Sequence, residues 1–201
     1  MRARRGAVAL ALALAFAVAW SADARAAEPI GTLRLSADLH HYFDGEYREG
    51  FAFTLAGAGA SVASSLLLEG GSDLGRGASI PLLAVGFIQL GAGIVLHGRT
   101  PNQVAKLDAL LAADPAALKA VETKRMKRVV VQFFALEVVE ITLCAGGGAL
   151  AVAGGVLEKD MLLGAGIGLA IQAAVMLSLD YLAHRRASRY LDSLRRFDPA
   201  R

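Results

Sequence analysis

An all-α, polytopic membrane bundle of four transmembrane helices, arranged as two hairpins behind a cleaved signal peptide, is the architecture this sequence predicts. Three observations carry the prediction. Apolar residues make up 55% of the 201 residues and charged residues 19%, below the roughly 25% charge of a typical soluble chain, and the mean hydropathy is +0.49. Four apolar runs, near 51–68, 78–97, 129–157 and 161–183, are almost free of charge. Each approaches the roughly 20 residues a helix needs to cross a hydrocarbon core of about 30 Å. The runs are continuous and do not alternate as barrel strands would.

Residues 1–26 begin with the basic Arg2, Arg4 and Arg5, continue through an apolar stretch from Gly6 to Trp20, and end on Ala24-Arg25-Ala26. This is the pattern of a bacterial secretory signal, with cleavage expected after Ala26. It directs a multi-pass protein to the bacterial inner membrane and puts residue 30 on the far side.

The segment 27–49 is expected to be an extracytoplasmic polar stretch, with two arginines against five acidic residues. Tyr42, Phe43, Tyr47 and Phe51 cluster just before the first apolar run, where aromatic rings suit a headgroup layer. His40 and His41 beside Asp38 and Asp44 match no metal-ligand spacing, so they are read as solvated residues. No metal, cofactor or catalytic residue is assigned. Cys144 is a single thiol, which excludes an internal disulfide and suits a small packing residue.

Residues 50–186 form the expected bundle. Small residues recur inside it at helical spacing: Ala56, Ala60 and Ser64; Gly147, Ala151 and Gly155; Gly164 and Gly168. Such rows let helix backbones approach closely in lipid, here expected first within one molecule, with a membrane-protein partner or a homo-oligomer as the alternative. An echo appears at an offset of 87 residues. Gly77-Ala78-x-Ile80-x-Leu82 before His97-x-Arg99 is matched by Gly164-Ala165-x-Ile167-x-Leu169 before His184-x-Arg186. That is the mark of two hairpins in the same orientation, as in some transporters.

The connector 100–128 reads as helical. Thr100-Pro101 and Asp114-Pro115 each set a capping residue before a proline, the signature of a helix start. No breaker follows Pro115 until Gly146, so one helix is expected to run into the third span. Its membrane entrance carries Lys124, Arg125, Lys127 and Arg128. The tail 187–201 sets Ala187, Tyr190, Leu191, Leu194 and Phe197 on one face. Arg185, Arg189, Arg195 and Arg196 fall on the other. That is the form of a helix lying in the interface, and these eight basic residues are the expected contacts to anionic lipid headgroups. A nucleic-acid partner is not expected.

The charge pattern opposes this topology. Segment 98–128 holds seven Lys or Arg and the tail from 184 holds six Arg. Four spans after a cleaved signal leave both outside, against the positive-inside rule. If the run 51–68 does not cross, three spans remain and both basic segments become cytoplasmic.

Inside the third run lie Glu137 and Glu140, three apart and on one helix face. Counted from Arg128 at 1.5 Å per residue they sit roughly 13 and 18 Å into the run, near the midplane, where a carboxylate is costly and usually functional. If the membrane portion instead begins near Ile141, both lie at the interface as polar residues of a protruding helix. Adjacent carboxylates repel and are expected to share a proton. Gln89, Gln132 and Gln172 are candidate hydrogen-bond partners. The function expected is that of a small non-enzymatic membrane protein with a structural or partner-binding role. The alternative is a small transporter or channel-like protein handling ions or protons through Glu137 and Glu140.

Overall fold

A computed structural model describes residues 29–200, which fold into four long helices. They are α1 (Thr32–Glu69), α2 (Asp73–Ala113), α3 (Pro115–Val156) and α4 (Asp160–Arg196). All four are long and apolar enough to cross a membrane, so the chain is an all-α protein of multi-pass type. Residues 1–26, expected to be a signal peptide, lie outside the described residues.

The helix ends follow local chemistry. Gly71 turns the chain at φ +71°, a left-handed conformation that only glycine adopts without strain. Ser72 then caps α2 by accepting a hydrogen bond from the Gly75 amide at 3.1 Å. Asp114 accepts from the Ala117 amide at 2.9 Å, and Pro115 occupies the first turn of α3, where its missing N–H costs nothing. The start expected at Thr100-Pro101 is not one. α2 runs through both Pro81 and Pro101. The Thr100 hydroxyl, freed from capping, donates instead to the Leu96 carbonyl at 2.7 Å and lies 3.0 Å from Glu46 Oε1. Tertiary contact here overrides a local stop signal.

Each helix has a polar half and an apolar half, and like halves lie together. The polar halves form a cap with a water-soluble type of core: Leu35, Leu39 and Phe43 of α1, Leu107 and Leu111 of α2, Leu118 and Met126 of α3, and Leu191, Leu194 and Phe197 after and within α4. Ile30 fastens the two chain ends, donating its amide to Arg196 O at 3.1 Å and accepting from the Asp198 amide at 3.0 Å. The apolar face of the tail therefore packs in this core rather than lying on lipid. Three other helices offer it matching faces at no cost in desolvated charge. Tyr42 and Phe43 are likewise buried in the cap, not spread along a headgroup layer.

The apolar halves are built in the opposite way. Their contacts are backbone to backbone: Gly57 against Gly86 and Leu90, Gly93 against Gly50 and Thr54, Gly147 against Gly166 and Ala170. The small-residue row of α3 ends on Gly154, which meets Leu163, while Gly155 faces open space. Large side chains point outward, including Leu55, Val62, Phe87, Ile94, Val139, Val152 and Ile171. A surface so apolar suits lipid and would aggregate in water. α2 and α4 are central, α1 lies along α2 and α3 along α4, and α1 and α3 barely meet.

Candidate functional site: the junction of cap and apolar half

Gly77 rests on the α4 backbone at Met161 and Ala165, and Gly164 on the α2 backbone at Leu74 and Ala78. The two helix turns at 70–72 and 157–159 therefore sit at one level, and depth is counted from there. Glu49 and Asp180 are 20 residues from their helix ends at 69 and 160, and Glu137 is 19 from Val156, or about 30 Å at 1.5 Å per residue. Glu140 is 17 residues from Leu157, about 26 Å. A hydrocarbon core is roughly 30 Å thick. For a core that begins at the turns, the acidic residues would fall at its cap-side border. The reason is that the apolar run of α3 is longer than a span. Val129, Val130 and Phe133 at its start are packed against the cap core, so counting from Arg128 overstates the depth.

At this border the four helices place a ring of charge. Glu137 Oε1 meets His184 Nδ1 at 2.8 Å, joining α3 to α4. Next to this pair, Glu140 and Asp180 are buried side by side, and among the described residues neither Glu140 oxygen finds a donor. Gln172 Nε2 donates to Gln89 Oε1 at 2.8 Å, a pair buried about 12 Å further on, since Gln172 is eight residues from Asp180. Gln132 is exposed on the wall of a cavity, apart from these pairs.

Three arginines complete the ring, each backed by a carboxylate. Arg99 pairs with Glu46 at 3.4 Å, Arg125 with Glu122 at 2.6 Å, and Arg186 with Glu49. Glu46 is held further by Thr100 and by the Tyr42 hydroxyl at 3.1 Å. Arg125 lies over Tyr42 and Phe43, 5.9 and 5.4 Å from their centroids, and Arg186 lies 5.8 Å from Tyr42. Gly45 makes the last contact possible, because a Cβ there would occupy the space of the Arg186 side chain. Burial pushes the Tyr42 and Tyr190 phenols above their ordinary range, with the Glu46 and Glu122 charges respectively adding to it.

Of the eight basic residues assigned to headgroups, Lys124, Lys127, Arg128, Arg185, Arg189 and Arg195 are exposed and Arg196 is half-buried. Arg125 is turned inward as described. His40 meets Asp108 at 2.9 Å, and among the described residues no group of three or more His, Cys, Asp or Glu is arranged to hold a metal. Asp180, Glu46, Glu49, Arg99 and Arg186 escaped assignment from sequence. The signal was present for Asp180, an acid inside an otherwise apolar run, and for Glu46 and Glu49, which repeat the three-residue spacing of Glu137 and Glu140.

At the level of these carboxylates the helices enclose a cavity of about 420 Å³, lined from all four. Its apolar wall is formed by Ile88, Ala92 and Val95 of α2 facing Val129, Phe133 and Leu136 of α3. Ile88, Val95 and Leu136 are also exposed at the outer surface, so the cavity opens sideways between α2 and α3. Its polar end holds Arg99, Arg125 and Arg186 together with Glu46, Glu49 and Asp180. Comparison with family models, curated proteins and solved structures finds no match.

Proposed function

We propose that the chain is a non-enzymatic, multi-pass membrane protein, crossing the bilayer as the two hairpins α1–α2 and α3–α4, that works as a binding module at the border of bilayer and cap. The observation that carries this reading is the cavity at that border, walled by four helices and within the range of roughly 300–1,000 Å³ usual for small-molecule sites. Four crossings are favoured over three by the cap core, which joins residues from 30–43, 107–126 and 187–197. A three-span chain would divide those residues between two compartments. With residues 1–26 read as a signal peptide, the cap faces away from the cytoplasm of a bacterial inner membrane. Its basic segments then break the positive-inside rule, a cost consistent with their being used to hold anionic groups.

The transporter reading is favoured by one observation, the facing carboxyls of Glu140 and Asp180. Depth weighs against it. Between Glu140 and the turn at 157–159, about 26 Å away, the described residues of the four helices offer Gln89, Gln172, Ser64 and Ser79 as buried polar groups and no charge. The test uses the full chain twice. Lipid extracted from protein purified in mild detergent is identified by mass spectrometry, and proton flux is followed in proteoliposomes. A retained amphiphile, with flux equal in the wild type and in a Glu137→Gln, Glu140→Gln variant, is the outcome expected. Flux that the variant abolishes, with no retained amphiphile, would replace the binding module by the transporter.

A further inference from the structure

We infer that the occupant of the junction cavity is an anionic phospholipid taken from the surrounding bilayer, its phosphate held by Arg99, Arg125 and Arg186 and an acyl chain laid between α2 and α3. The inference rests on the binding-module reading and names the ligand of that same cavity.

The chemistry of the polar end comes from which member of each ion pair is accessible. The side chains of Arg99 and Glu46 are 52% and 6% exposed, those of Arg125 and Glu122 22% and 1%, and those of Arg186 and Glu49 18% and 9%. In every pair the carboxylate is the inner partner and the guanidinium the outer one. A carboxylate uses one edge of the planar fork and leaves other N–H donors free. The end of the cavity therefore presents cationic donors backed by buried anions, three of each, with Asp180 as one further acid in the lining. Forked donors of this kind suit phosphate oxygens. The backing carboxylates fix the guanidinium planes before the ligand arrives, which lowers the ordering cost of binding.

The apolar end has a different requirement. Ile88, Ala92 and Val95 recur at helical spacing along α2, and Val129, Phe133 and Leu136 along α3, forming two facing stripes. α2 and α3 touch little, so the space between the stripes is open along its length to the lipid side. A soluble phosphate would leave this wall uncovered, and a plain hydrocarbon would leave the arginines without an acceptor. A bilayer phospholipid satisfies both ends. The exposed Lys124, Lys127, Arg128 and Arg185 on the same border add attraction for an anionic species over a zwitterionic one.

The test is native mass spectrometry of the full chain in nonionic detergent, offered phosphatidylglycerol, phosphatidylcholine or diacylglycerol, with inorganic phosphate as competitor. One phosphatidylglycerol per chain is expected, preferred about tenfold over phosphatidylcholine, which is about 1.4 kcal/mol, and not displaced by phosphate. Ala92→Trp, at an exposed wall position, fills the apolar end and is expected to abolish retention with the thermal transition unchanged. Arg99→Gln is expected to remove the preference for the anionic lipid while retention persists. If all three lipids are held equally, the headgroup assignment falls and the cavity reading survives. If no lipid is held, or Ala92→Trp holds as much as the wild type, the cavity reading falls with it. Displacement by inorganic phosphate would make this a free-anion site and overturn the lipid.

Discussion

Gly77 of α2 and Gly164 of α4 each rest on the backbone of the helix that carries the other. Their sequence contexts repeat at an offset of 87 residues, and a reciprocal contact of equivalent residues is what a two-fold relation between the two helix pairs would produce. The contact also tells why the apolar half needs glycine. With lipid on the outside as apolar as the side chains, close backbone approach is the main attraction left. Substituting Leu at either position should separate α2 from α4 and cost about 1–3 kcal/mol or more. Gly91→Leu, which faces open space, should be close to neutral. Thermal unfolding of the three variants in one detergent measures the difference.

The cap should behave as a soluble core does. Leu35 and Leu194 are fully buried in it, so replacing either with Ala should cost about 2–5 kcal/mol. Val62→Ala, on the lipid-facing surface, should change stability little. Chemical unfolding in mixed micelles, compared across the three, checks it.

The phenols of the cap give a pH signature. Burial holds Tyr42 and Tyr190 neutral beyond the range where an ordinary phenol, near 10, ionises. The unfolded chain therefore loses these protons first. Cap stability should be independent of these groups below about pH 10 and fall as pH rises through and beyond that value. Tyrosinate absorbance should show two phenols that ionise only when the protein unfolds. Replacing Tyr42 and Tyr190 by Phe should remove the step.

Glu140 and Asp180 pair two acceptors where one donor is needed. Asp180→Asn supplies that donor at nearly constant volume. It should stabilise the α3–α4 contact by about 1 kcal/mol, read as a rise in the thermal midpoint at neutral pH. A fall would mean that the carboxyl pair is held by something other than its neighbours in this chain.

How far the sequence revealed these features depended on the scale over which each is decided. The four apolar runs, the Asp114-Pro115 helix start and the unbroken passage from Pro115 into the third run are local, and they were legible. The depth of Glu137 and Glu140 is left open between midplane and interface. It depends on where the bilayer lies along α3, and that is set by the turns of two other helices and by Phe133 joining the cap. The apolar face of residues 187–197 was correctly drawn, yet its partner was out of reach, since lipid and three neighbouring helices ask for the same pattern. Of the candidate polar residues, Gln89 and Gln172 do meet each other. Glu137 and Glu140 found His184 and Asp180, residues that a helix-by-helix reading could not bring together.

The central claim is that the polar halves of all four helices share one compartment while both turns face the other. Single cysteines at Asp44, Ala112 and Asp192 in the cap, and at Glu69 and Lys159 in the turns, are all at exposed positions. Introduced in a Cys144→Ala background, they can be labelled from one side with an impermeant thiol reagent. The account expects the first three to react together from one side and the last two only from the opposite side. Labelling of position 44 from the side opposite to 112 and 192 would divide the cap across the bilayer and contradict the fold.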